Sequence, residues 1–170
     1  YGQLEHLCGH LHLPVQSGSN RILEMMNRRY TREKYLDLVK RLRSVRPDIG
    51  LTSDIIVGFP GETEEEFEEL VQFTKDMRFE RMGAFAYSEE EGTYAAEHFE
   101  DNIDDDTKQA RLSRLMRVQQ RIAEEVSAAS IGKTFLVVID REEGEYFIGR
   151  TQYDSPEVDQ EIIIDSLGKR

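Results

Sequence analysis

Asp54-Ile55-Ile56-Val57-Gly58-Phe59-Pro60-Gly61-Glu62-Thr63 is the stretch that decides the fold. The apolar run Ile55-Ile56-Val57 reads as a strand buried on both faces. It stops at the Gly58–Gly61 turn. Thr63 follows, with Glu66 three residues on, which is the spacing of a helix N-cap closed by a capping box. Phe67, Leu70, Val71 and Met77 then recur at helical spacing. Strand, turn and helix in this order predict one step of an α/β fold.

The same order recurs on either side. Upstream, Leu11 to Gln16 reads as a short strand, followed by a helix from about Asn20 to Asn27. A second helix begins at Thr31, with Tyr35, Leu38, Val39, Leu42 and Val45 on one face, and ends at Pro47 and Gly50. Downstream, Arg81 to Tyr87 is the next strand. An acid-rich loop, Ser88 to Asp106, leads to a helix from about Thr107 to Ala129, with Leu112, Leu115, Met116, Ile122, Ala123 and Val126 inward. This alternation predicts right-handed βαβ units and a parallel sheet. From about Ile131 the pattern changes to short strands at 134–139, 146–151 and 161–164, with a turn over Glu142 to Glu145. The predicted fold class is α/β: a partial parallel (β/α) barrel over residues 1–130, then a small antiparallel β segment over 131–170.

Three polar, Gly-bearing segments follow the three predicted parallel strands: Gln16-Ser17-Gly18-Ser19, Gly58 to Thr63, and Tyr87 to Thr93. Carboxyl ends of parallel strands share one face, the face that carries the site in α/β barrels and open sheets. Glycines there let backbone approach a ligand, although they also simply make turns.

Composition narrows the classes. Of 170 residues, 38% are apolar and 33% charged, the mean hydropathy is −0.60 and the net charge is −12. No apolar run approaches a membrane span of roughly 18 residues, and no signal peptide is visible. With one cysteine, Cys8, no internal disulfide can form, and a cytoplasmic location is expected. The sequence begins at Tyr1 instead of Met, as a piece of a longer protein would. Charge is uneven: 9 Lys+Arg against 5 Asp+Glu over 1–50, 3 against 17 over 62–106, and 5 against 9 over 133–170. The acidic second half repels phosphate backbones and suits a basic protein partner, unless its acids merely face solvent. His10 and His12 alternate along a strand and show no zinc-site spacing with Cys8. Cys8 alone cannot hold an iron–sulfur cluster, and is expected to be a small buried residue. No P-loop, dinucleotide fingerprint or nucleophile elbow is present.

Leu13-Pro14-Val15-Gln16-Ser17-Gly18-Ser19, Met26-Asn27-Arg28-Arg29-Tyr30-Thr31, Asp54 to Thr63, and Tyr87-Ser88 with Gly92-Thr93 together resemble the radical S-adenosylmethionine (SAM) methylthiotransferase family. The resemblance runs over nearly the whole chain. It implies a radical SAM barrel followed by a TRAM domain. It also implies two [4Fe–4S] clusters, one of which cleaves SAM to a 5′-deoxyadenosyl radical. The family's Cys-x3-Cys-x2-Cys motif is absent, so the cluster ligands are not in this chain, and the resemblance supplies neither a catalytic residue nor a metal ligand here. By analogy, Gln16, Ser17, Gly18, Ser19, Asp54, Gly58, Phe59 and Pro60 should line the SAM pocket. Two main branches compete, with a third, tRNA-modifying branch behind them. The first sixty residues are closer to the branch that modifies an adenosine of tRNA. The second half is closer to the branch that methylthiolates the β-carbon of an aspartate on small-subunit ribosomal protein S twelve. Its Gly149-Arg150-Thr151 and Asp154-Ser155-Pro156-Glu157-Val158-Asp159 carry that likeness, and it is favoured. A non-catalytic, partner-binding piece is the remaining reading.

Overall fold

The computed structural model describes residues 2–4, 6–156 and 159–165. Three parallel strands form one sheet: β1 (His10–His12), β2 (Gly50–Val57) and β3 (Arg81–Ala86), in the order β1-β2-β3. Helices α1 (Asn20–Met25) and α2 (Arg32–Val45) connect β1 to β2, and α3 (Glu64–Met77) connects β2 to β3. The short α4 (Tyr94–His98) and the long α5 (Asp105–Ala128) follow. A separate antiparallel sheet, order β4-β5-β6, comprises β4 (Val137–Glu143), β5 (Tyr146–Thr151) and β6 (Ile162–Asp165). The chain is therefore a parallel α/β unit followed by a small antiparallel sheet, as the sequence pattern predicts.

Local chemistry sets the element boundaries. The Thr63 hydroxyl accepts from the Glu66 N–H, and the Glu66 carboxylate accepts from the Thr63 N–H at 2.9 Å, which completes the predicted capping box. Ser19, Thr31, Thr93 and Asp104 cap α1, α2, α4 and α5 in the same one-sided way. Predicted strand 11–16 is shorter than expected. Only His10–His12 pairs continuously, and Gln16 returns to the sheet as an isolated bridge to Ile55. Pro14 explains the gap, since it has no N–H to give to a ladder. The acid-rich loop is not wholly a loop, because Thr93 starts the one-turn α4 inside it. In the small sheet, β4 begins at Val137 and runs through Glu143, so the turn narrows to Gly144 and Glu145.

The core lies on one face of the parallel sheet. Leu51, Ile55 and Val57 pack there against Tyr35, Val39, Phe67, Leu70, Phe73 and Leu115 from the helices. Ile56 points the other way and is only half-buried, so the Ile55-Ile56-Val57 run is not covered on both faces. Leu38 and Val45 are exposed, unlike the predicted α2 stripe. They sit about 60° round the helix from the Tyr35–Val39–Leu42 line, where no described element covers them. Met116 is likewise exposed on α5, and the inward face of that helix carries Lys108, Arg111 and Gln119 beside Leu115 and Ile122. Each of these three polar side chains has a partner, Asp101 for Lys108, Glu62 for Arg111 and the Phe79 carbonyl for Gln119, while Arg111 Nε and Gln119 Oε1 are buried without one among the described residues. Cys8 is exposed rather than buried. It lies ahead of β1, outside the core built by the helices.

The two sheets meet at the amino ends of the parallel strands. Arg81, the first residue of β3, donates to the Tyr153 carbonyl at 2.8 Å and pairs with both Asp154 and Asp159. The side chains of Asp154 and Asp159 are only 6% and 11% exposed. They are thus committed to an internal clamp and are not a free acidic surface for a basic partner. Glu157 and Val158 of the same segment lie outside the described residues.

Candidate functional site

The carboxyl ends of β1, β2 and β3 open onto a cavity of about 650 Å³. That is in the range of small-molecule sites. Gln16, Asp54, Ile56, Phe59, Phe85 and Tyr87 line it, with Met25 to Arg28 on one rim and Glu90 and Thr93 to Ala95 on the other. Strand alternation explains the set. Asp54 and Ile56 share the face of β2 that the helices leave open, and Ile56 lies in register with Phe85 of β3.

Gln16 is held there by the backbone. Its N–H donates to the Asp54 carbonyl at 3.0 Å, and its own carbonyl accepts from Ile56 N–H at 2.9 Å. Its φ is +72°, a left-handed conformation in a residue other than glycine. Asn27, on the rim, has φ +56°. Such conformations cost of order 1–3 kcal/mol and cluster at ligand sites. Asp54 pairs with His12 Nε2 at 3.4 Å, while His12 Nδ1 and His10 Nε2 converge on the Thr52 hydroxyl at 2.9 and 3.1 Å. The two histidines share a face as predicted, and that face runs down from the cavity.

The floor is aromatic. Phe59 meets Tyr87 and Phe99 edge-on, at centroid distances of 5.2 and 6.0 Å. The Tyr87 hydroxyl is buried and has no hydrogen-bond partner among the described residues. Burial, with Glu89 and Asp101 nearby, pushes its pKa up, so it remains a neutral donor. Beneath the Gly58 turn, the Glu62 carboxylate accepts from Gly58 N–H at 2.8 Å and from Arg111 at 2.9 Å. Burial nonetheless pushes the Glu62 pKa up against those two contacts. Glu66, one helical turn on, goes the other way. Burial raises its pKa, but hydrogen bonds from Arg21, Thr63 N–H and Ser19 outweigh that and bring it to about 2.

The expected pocket residues therefore divide. Gln16, Asp54 and Phe59 line the cavity. Ser17, Gly18, Ser19, Gly58 and Pro60 do not line it and are buried behind it. Ser17 and Ser19 build the α1 cap, where the Ser17 hydroxyl accepts from Ser19 N–H and the Ser19 hydroxyl donates to Glu66 at 2.8 Å. Gly18 lets the loop touch α3, because a Cβ there would lie 2.7 Å from Leu70 Cα. Gly58 has φ +70° and abuts Lys108, whose Cγ would be 2.5 Å from an added Cβ. Met25, Met26, Asn27, Arg28, Phe85 and Tyr94 line the cavity without having been expected there. Of these, Met26, Asn27 and Arg28 lie inside a motif already singled out in the sequence; Met25, Phe85 and Tyr94 do not.

Apolar walls with a few polar groups, Gln16, Asn27, Arg28, Asp54 and Tyr87, suit a small ligand that has an aromatic part and charged arms. Among the described residues, no group of three or more His, Cys, Asp or Glu could hold a metal ion.

Comparison with known proteins gives this cavity a context. Residues 3–74 match the Radical SAM superfamily and residues 131–170 match the TRAM domain. The chain is 51% identical over 160 residues to ribosomal protein uS12 methylthiotransferases of Parabacteroides distasonis and Bacteroides thetaiotaomicron. It is 46% identical to that of Christiangramia forsetii. Each alignment takes in 94% of this chain; the chain spans 37% of the first two relatives' length and 35% of the third's. Among solved structures, coproporphyrinogen III oxidase (HemN) from Escherichia coli, described as a radical SAM enzyme, superposes with a TM-score of 0.58 at 19% identity. That superposition covers 67% of this chain and 27% of HemN, and it concerns fold alone.

Proposed function

We propose that the chain belongs to the radical SAM methylthiotransferase family and is part of an enzyme that methylthiolates the β-carbon of an aspartate on small-subunit ribosomal protein S twelve. The observation that carries this reading is identity near half, over 94% of the chain, to relatives named for that protein substrate. In this reading residues 1–130 are the later part of the radical SAM barrel and residues 131–170 begin the TRAM domain. In this reading the enzyme works in the cytoplasm, where its ribosomal substrate is.

SAM fits the cavity on the residues present. Ile56, Phe59 and Phe85 offer apolar surface to an adenine, and Gln16, Asp54 and the partnerless Tyr87 hydroxyl offer hydrogen bonds to polar arms. Ser17, Gly18, Ser19, Gly58 and Pro60 would act from behind, by fixing the loops that carry Gln16 and Phe59. When bound, SAM would supply the radical and the methyl group. A [4Fe–4S] cluster does not fit, since a single cysteine cannot supply its three or four thiolates.

The test is reconstitution of the full-length gene product with iron, sulfide, SAM and a reductant, offered ribosomal protein S twelve and bulk tRNA in parallel. Mass spectrometry should find one methylthio group on an aspartate of the protein. A methylthiolated adenosine with unmodified protein would reverse the substrate assignment. Gln16→Ala and Asp54→Ala should each weaken SAM binding by about tenfold or more, the worth of one lost charged or neutral hydrogen bond.

A further inference from the structure

Beside the cavity lies a second concavity, of about 390 Å³, formed where α1 runs into α2. Arg28, Arg29 and Lys34 surround it, together with Glu24, Tyr30 and Thr31. Arg28 lines both concavities, so the two are neighbours.

The basic groups stand out by what they lack. This chain carries a net charge of −12, and most of its arginines are paired: Arg21 with Glu66, Arg78 with Glu125, Arg81 with Asp154, Arg111 with Glu62, Arg114 with Glu68 and Arg141 with Glu161. Arg28, Arg29 and Lys34 are exposed, and none has an ion-pair partner among the described residues. Unpaired cations gathered around one concavity, on an otherwise acidic molecule, make a local site of positive potential.

We propose that this cup binds the phosphodiester backbone of RNA. The choice of RNA rests on the reading that the substrate is a ribosomal protein, which sits among RNA phosphates. The cup itself supports backbone contact over base reading. Its aromatic residue, Tyr30, turns its hydroxyl inward to the Pro14 and Val15 carbonyls, at 3.2 and 3.1 Å, and is half-buried, so no stacking platform is offered. Contact is therefore sequence-independent and positions the enzyme rather than specifying a site. The acidic stretch of 62–106 repels phosphates elsewhere, which confines the RNA to the side of the cavity carrying Arg28.

The test measures binding of an unstructured 20-nucleotide single-stranded RNA by fluorescence anisotropy across a salt series, with no SAM and no turnover. Arg29→Gln/Lys34→Gln should weaken binding about tenfold at low salt. It should also reduce the slope of log K against log salt by about 1.4, two phosphate contacts at about 0.7 each. Arg29→Lys/Lys34→Arg should restore both. Arg117→Gln/Arg121→Gln removes two cations of α5 that also lack ion-pair partners among the described residues, and should leave the slope unchanged. The proposal is overturned if no RNA is bound at low salt, if the α5 variant loses as much as the cup variant, or if polyglutamate or anionic vesicles bind the cup as tightly as RNA does. Methylthiolation of tRNA in place of the ribosomal protein would sink the substrate assignment while leaving these binding results intact, so the two failures are distinguishable.

Discussion

The parallel unit and the small antiparallel sheet are held together by different forces. The buried core cluster is drawn wholly from the parallel unit, from Val15 to Leu115. Among the described residues the small sheet adds Ile148 alone to the buried apolar residues, and leaves Val138, Ile139, Tyr146 and Ile163 exposed. Its other cohesion is a strand ladder, exposed ion pairs such as Arg141–Glu161, and the Arg81 clamp. Apolar burial is the dominant favourable term in folding, so the parallel unit should carry most of the stability. The small sheet should depend on the parallel unit for its position.

The largest effect should come from breaking the core side of this comparison. Phe67 is fully buried between α3 and the sheet, and the Arg111 and Arg114 guanidinium groups lie over its ring. Phe67→Ala should cost about 3–5 kcal/mol, seen in urea unfolding followed by circular dichroism. Both sheets should lose structure together, since the clamp has nothing to hold once β3 is gone. If the antiparallel sheet kept its protected amides while the parallel unit unfolded, the dependence argued above would be wrong.

A smaller and one-sided effect is expected at the clamp. Arg81→Ala would leave Asp154 and Asp159 without their counter-charge in a nearly dry setting. Breaking a fully buried pair costs about 3–5 kcal/mol, and Arg81 is 29% exposed, so about 1–3 kcal/mol is expected here. Hydrogen exchange should accelerate in β5 and β6 and stay unchanged in β2. Equal acceleration in β2 would mean that the two units are one cooperative block. The Tyr153 ring, whose Cε1 would lie 2.8 Å from a Cβ added at Gly9, makes Gly9→Ala an independent way to pry the same contact apart.

The comparison also marks what the sequence could reveal. Thr63 and Glu66 are three residues apart, so their reciprocal bonds were legible, and so was the periodicity of α3 and, Met116 apart, that of α5; β2 was legible as a strand, but its open face at Ile56 was not. Helix α4 was not legible, because a single turn leaves no periodicity to read. The partners of Arg111 and Arg81 were not legible either. They lie 49 and 73 residues away along the chain, and only the fold brings them within reach. For that reason Asp154 and Asp159 read as a surface charge cluster while being internal. At the cavity, Gln16, Asp54 and Phe59 were found through strand ends and motif likeness. Ser17, Gly18 and Ser19 carry the same motif, yet they are buried behind the cavity wall. A motif marks a loop, and the pleat decides which of its residues face inward.

The smallest effect sharpens the comparison through pH. Glu66 in the parallel unit is paired to Arg21 and its side chain is 14% exposed, whereas Glu161 in the small sheet is paired to Arg141 and is 48% exposed. The carboxyl of Glu66 sits at about 2 in the fold against an ordinary 4.5. A depressed folded value means stability that is present above 4.5 and lost as the pH falls toward 2. The difference in unfolding free energy between the wild type and Glu66→Gln should therefore be flat above pH 5 and shrink steadily below 4.5. The Glu161 pKa is lowered in the same direction by the Arg141 hydrogen bond. Its pair is open to solvent, and at about 1 M salt the screening length is roughly 3 Å, short enough to erase it. Raising the salt should thus abolish the pH dependence of hydrogen exchange that Glu161→Gln reports in β6, and should leave most of that reported by Glu66→Gln in α3. Equal salt sensitivity at the two sites would show that burial does not separate them, and the contrast between a core-held unit and a surface-held sheet would lose its electrostatic half.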